Sequence, residues 1–183
     1  ALWIQQGKEF DEAMELTEHT IKLATISGQN FATVTQQMTS ALQSFNLEAS
    51  DAGTVTDVFS ELAAKAAADV DGIANAVAKV GSLAYTSGID LQTTSAMLTE
   101  MIESTQEAPE TIGTSMRTIL GRLTQIKTGV SDLSEEELQD LDFNRVDTAL
   151  KSVGVSLKDT NGQIRDADDI LFNISISFLS GLF

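Results

Sequence analysis

The sequence predicts an all-α protein, a bundle of about seven to eight short amphipathic helices with one small β-hairpin. Three observations lead there. Apolar residues recur at helical spacing through nearly the whole chain. Over 183 residues there is a single Pro and only 5% aromatics, which disfavours the many short strands of a sandwich or barrel. Gly, Ser, Asn and Asp stand at the ends of the apolar runs, where helix caps belong.

Seven stripes define the helices in order. Phe10, Met14, Thr17, Ile21 and Ala24 line one face of the first, the face such a helix buries. Phe31, Val34, Met38, Ala41, Leu42 and Phe45 form the second, and Val55, Val58, Phe59, Leu62, Ala63 and Ala66 the third. Ile73, Val77, Val80 and Ala84 give the fourth; Leu91, Leu98, Met101 and Ile102 give the fifth. The cleanest stripe is the sixth, with Ile112, Met116, Ile119, Leu120, Leu123 and Ile126. Phe143, Val146, Leu150 and Val153 make a shorter seventh. Ser134 with Glu137 fits a capping box opening a short acidic helix before it.

Punctuation supports these spans. Ser27-Gly28, Ser87-Gly88 and Thr128-Gly129 sit where a left-handed cap would end a helix. Asn30, Ser50, Asp69 and Asp90 stand at N-cap positions, and Pro109 at a first turn. Near residues 155–165 the period changes. Val155-Ser156-Leu157 alternates, and Asn161-Gly162 before Gln163-Ile164-Arg165 is a hairpin signal. Asp166, Asp168 or Asp169 can cap a last helix.

The chain also resembles itself at an offset of 60. Ala24–Ser44 lies over Ala84–Ser104 with six identities in 21 positions, among them Ser27/Ser87, Gly28/Gly88 and Thr33/Thr93. Apolar register is shared at Phe31/Leu91, Met38/Leu98 and Leu42/Ile102. Two similar helical hairpins, about 10–46 and 70–106, are therefore expected within a helical core of residues 1–129. Residues 130–183 form an acidic helical segment with the β-hairpin and a truncated C-terminal helix. The alternative is that any two amphipathic hairpins share some of this pattern.

Composition excludes several functions. With 11 Lys plus Arg against 27 Asp plus Glu, the net charge is −16, which opposes binding to duplex nucleic acid or to an anionic membrane surface. Residues 101–129 are neutral, but Arg117, Arg122 and Lys127 fan around a helix at steps of five. No Cys is present, so disulfides, thiolate metal sites and a Cys nucleophile are excluded. The single His19, between Glu18 and Thr20, has no nucleophile or orienting acid suggested by any spacing and reads as a surface histidine. Phosphate-loop, dinucleotide and zinc-hydrolase motifs are absent.

Asp159-Thr160-Asn161-Gly162 and Asp69-Val70-Asp71-Gly72 start like calcium loops, but Gly falls at the fourth place instead of the sixth. A turn and a helix cap explain them better. Glu135, Glu136 and Glu137 are first-turn carboxylates. No catalytic, cofactor-binding or metal-ligating residue is assigned, and no enzymatic activity or cofactor is expected. No stretch of about 20 apolar residues could span a bilayer. ILFNISISFLSGLF, from Ile170 to Phe183, reads as a buried or truncated helix, with a membrane-active segment as the alternative. Opening on Ala1 without Met suggests a fragment or processed chain.

Ordered segments then resemble the core region of phage tail tape measure proteins. They include FDEAMELTE (10–18), KLAT (22–25), TSAL (39–42), FNLEASDA (45–52), AKVGSLA (78–84) and GIDL (88–91). GTSMRTIL (113–120), ALKSVGVSL (149–157) and Asp169-Ile170-Leu171 continue the pattern, which covers about residues 9–171. Glu107-Ala108-Pro109-Glu110 departs from it, as does the lack of an amphipathic, Trp-containing helix after Leu171. The resemblance implies a structural protein of the virion, packed in the tail-tube lumen, which sets tail length and is released ahead of the genome. It would be made in the bacterial host cytoplasm or encoded by a prophage. Its partners would be tail-tube and tail-assembly proteins, with self-association as an option. The alternative is a generic acidic helical protein-binding module outside any virion.

Overall fold

Helix ends fall where side chains can take up the free backbone groups. In the computed structural model, which describes residues 2–66, 68–130, 143–152 and 154–179, the elements run in this order. They are α1 (Leu2–Gln5), α2 (Phe10–Ser27), α3 (Phe31–Ser44), a 3₁₀ turn (Ala49–Asp51), α4 (Ala52–Lys65) and α5 (Val70–Thr86). Then follow α6 (Leu91–Thr105), α7 (Pro109–Val130), α8 (Phe143–Ser152) and α9 (Ala167–Leu179). The protein is all-α, with no strand among the described residues.

Asn30 Oδ1 accepts from Thr33 N at 2.9 Å, Asp90 Oδ1 from Thr93 N at 2.7 Å, and Asp69 Oδ1 from Gly72 N at 2.7 Å. These are the N-cap bonds expected of such residues. Gly28 (φ 69°) and Gly88 (φ 85°) take the left-handed conformation past α2 and α5. Ser50 does not cap. It lies inside the 3₁₀ turn, where Glu48 and Asp51 form a reciprocal capping box instead. Thr128-Gly129 does not end α7, which continues to Val130. One Gly weakens a helix interior but need not stop it. The acidic helix expected from Ser134 lies outside the described residues.

The chain divides into two compact units, one of Ala1–Thr86 with Asp90–Arg117, the other of Ser87–Ile89 with Thr118–Phe183. In the first, α2 packs on α3 and α4, α3 on α5, and α4 on α5 and α6. Leu16, Leu23, Val34, Met38, Phe59, Ile73 and Leu98 are fully buried there. Close approach needs glycine at two points. A Cβ on Gly81 would stand 2.8 Å from Ser44 Cβ, and one on Gly113 would stand 2.5 Å from the Ala76 carbonyl oxygen.

The stripes of α3, α5 and α6 face inward largely as their spacing predicts. The first helix differs. α2 buries Ala13, Leu16, Thr20 and Leu23, while Phe10, Met14 and Ile21 are 69%, 60% and 53% exposed. It carries two apolar rows roughly 100° apart at 3.6 residues per turn. The neighbours α3 and α4 cover the row with smaller side chains.

Three buried threonines are satisfied inside their own helices, whereas the buried Thr94 hydroxyl has no partner. Thr20, Thr35 and Thr99 donate to the carbonyls of Leu16, Phe31 and Ser95 at 2.6, 2.7 and 2.8 Å. Each bond is to the residue four back, a local alternative to a tertiary partner.

The second unit is organised by Leu123, Val155, Leu157 and Ile170, with Val146, Leu150, Ile164, Ala167 and Ile174 partly buried against them. Here the expected β-hairpin reduces to a turn with one antiparallel bridge, Lys158 to Ile164. Gly162 N donates to Asp159 O at 3.1 Å, and only Gly162 (φ 81°) of the Asn-Gly pair has positive φ. The turn closes on a left-handed Gly and lacks the two positive-φ residues of a two-residue Asn-Gly loop. α9 begins the C-terminal apolar run as a helix. It buries Ile170 and Leu171 and leaves Phe172 exposed.

Candidate functional site

His19 is the first candidate for chemistry, and the structure places it at the contact between α2 and α4. Its half-buried ring packs over Gly53 of α4, where an added Cβ would meet Cε1 at 3.2 Å. Nδ1 is buried with no hydrogen-bond partner. A general-base imidazole is held in its working tautomer by an acceptor on that nitrogen, and none is placed there. His19 therefore serves as a wedge between α2 and α4, and Thr56 Oγ1 lies 3.5 Å from its backbone carbonyl. Sequence spacing could not show this, because Gly53 lies 34 residues away.

The carboxylates of the two loops that begin like calcium sites are occupied by protein donors. Asp159 Oδ1 accepts from the backbone N–H groups of Asn161 and Gln163, each at 2.8 Å. Asp69 caps α5. Asp71 Oδ1 accepts from Gln37 Nε2 at 2.7 Å, and its Oδ2 from Asn75 Nδ2 at 3.1 Å. Among the described residues, no group of three or more His, Asp or Glu side chains is placed to hold a metal ion.

One groove of the first unit was not legible in the sequence. It encloses about 600 Å³ and is bordered by Ile26, Gln29, Ser60, Ala63, Asp69 and Asp71 among others. Small side chains create it. Ala63, Ala64, Ala66 and Ala68 stand where larger residues would fill the space, and that run of alanines is the one signal a sequence reader could use. Beside it, Gln37 Nε2 donates to Gln29 Oε1 at 3.0 Å, while Gln29 Nε2 and Ser60 Oγ are buried without partners. Nothing here pairs a nucleophile with a base. The arrangement positions helices.

Arg117 donates to the carbonyl of Lys79 at 3.4 Å, and Arg122 is exposed; the two form no basic stripe. No described helix is long and apolar enough to cross a membrane.

Comparison with known proteins supplies what the geometry does not. The chain is 30% identical over 159 residues to the tape measure protein of Pneumococcus phage Dp-1, covering 86% of this chain and 12% of that relative. It thus spans about an eighth of the relative's length. No solved structure matches. The model of the phage-related minor tail protein family matches residues 1–179. A mainly helical chain fits a structural component of a phage tail, and on that match the protein belongs to the phage-related minor tail protein family.

Proposed function

We propose that the chain is a folded module of a tape measure protein. The full tape lies in the tail-tube lumen, sets tail length and leaves ahead of the genome. Its partners are tail-tube and tail-assembly proteins, and it catalyses no reaction. The observation that carries this reading is the 30% identity to a tape measure protein over 86% of the chain. The resemblance in segment order through residues 9–171 supports it.

The fold qualifies how such a module would contribute to length. A continuous helix of all 183 residues would reach about 275 Å. The longest described helix, α7 with 22 residues, reaches only about 33 Å. A bundle converts residues into length poorly, so this part of the tape adds bulk and contacts while extended parts do the measuring.

The test is an in-frame duplication of residues 1–183 in a phage that carries this chain, with tails measured by electron microscopy. Intact tails should lengthen by much less than about 275 Å. Duplicating an extended stretch of the tape should lengthen them in proportion to the residues added. Tails of unchanged length after both duplications would overturn the length-setting role. Virions in which mass spectrometry finds no peptide of this chain would favour the acidic protein-binding module instead.

A further inference from the structure

The exposed apolar residues of α2 form a continuous row. Phe10, Met14 and Ile21 project into solvent, and half-buried Thr17 and Ala24 complete the same face. At about 1.5 Å per residue, the row from Phe10 to Ala24 is about 21 Å long. Single exposed apolar side chains are ordinary on a protein surface. Three large ones aligned along one helix are the anchors of a helix-on-helix contact.

Sixty residues on, the equivalent row of α5 reads Val70, Ala74, Val77, Gly81 and Ala84, and every member is buried. A helix end covers it at Gly81, where Ser44 of α3 and the following Phe45 close to within 3 Å of an added Cβ. One hairpin thus seats a helix on the row that the other leaves open.

Charge defines what could seat there. Asp11 and Glu18 lie along the edge of the α2 row, with Glu15 farther round the helix, and none of the three forms an ion pair among the described residues. Asp11 lies in the first turn, where the helix dipole favours an acid. Glu15 and Glu18 lie beyond it and have no such role. The one lysine of α2, Lys22, is taken by Asp57 at 3.1 Å. A second copy paired antiparallel through this face would set the acidic edge against itself.

We propose that the open row of α2 binds a cationic amphipathic helix of a partner protein. Its apolar residues would seat on Phe10, Met14 and Ile21, and its Lys or Arg side chains would meet Asp11 and Glu18. Any cationic peptide is drawn to a chain of charge −16, so the deciding readout is dependence on the row.

The probe is a synthetic amphipathic Leu/Lys helix, titrated into the 183-residue chain by calorimetry beside its Leu/Glu counterpart. The Leu/Lys helix should bind and the Leu/Glu helix should not. The triple variant Phe10→Ser, Met14→Ser, Ile21→Ser should weaken binding at least tenfold with its circular dichroism unchanged, and Tyr85→Ser should leave binding as it was. Asp11→Asn with Glu18→Gln should weaken it several-fold. Equal binding to wild type and triple variant, or no binding, would overturn the proposal. So would dimerisation of the wild-type chain that the triple variant loses, which would make a second copy the occupant.

Discussion

The hairpins α2–α3 and α5–α6 begin and turn at positions 60 residues apart: Phe10 and Val70, Gly28 and Gly88, Asn30 and Asp90, Phe31 and Leu91. Both links use a left-handed Gly and an N-cap bond to the residue three on. Their first helices nevertheless meet opposite environments. Phe10, Met14 and Ile21 face water, while Val70, Ala74 and Gly81 are packed. Local chemistry sets where a helix starts and stops, and the surrounding helices decide which face is covered. Residue size follows: large apolar side chains remain on the open row, and small ones stand where another helix must come close.

The largest contrast should come from placing the same charge on both rows. Ala74→Asp buries an unpartnered carboxylate and should cost about 3 kcal/mol or more. Met14→Asp, at the matching exposed position, should cost less than about 1 kcal/mol. Urea unfolding of the two variants measures the difference, and equal losses would break the contrast.

Next in size is Gly81→Ala. Its Cβ must displace Ser44 and Phe45, and overpacking of this kind costs about 1–3 kcal/mol. Ile21→Ala on the open row should be near neutral by the same measurement.

The caps should behave alike. Asn30→Ala and Asp90→Ala should each lose about 1 kcal/mol. A loss at one position only would mean that the two links are not equivalent. Smallest is Lys22→Ala, which removes an exposed pair with Asp57 and should change stability by about 0–1 kcal/mol, less at high salt.

What could be read from the sequence divides along the same line. N-caps at Asn30, Asp69 and Asp90 and the cores of α3, α5 and α6 are legible because the residues that form them are neighbours in the chain. The buried row of α2 is not, since Phe10, Met14 and Ile21 make a stronger stripe than Ala13, Thr20 and their leucines. The turn at Asp159–Gly162 is legible, but the residues flanking it make one bridge, Lys158 to Ile164, and no strand. His19 over Gly53, and the groove beside the alanines, depend on segments brought together only by folding. Family membership showed in the order of segments rather than in any cluster of side chains.

The buried threonines carry a further consequence. Because Thr20, Thr35 and Thr99 each bond a carbonyl of their own helix, drawing the helices apart breaks none of those bonds. The resistance to such separation at these points is apolar contact alone, which falls away gradually with area and has no single latch. Between α3 and α5 the Gln37–Asp71 bond must break and be found again; at the threonines the helices can part and close without searching for a lost polar partner.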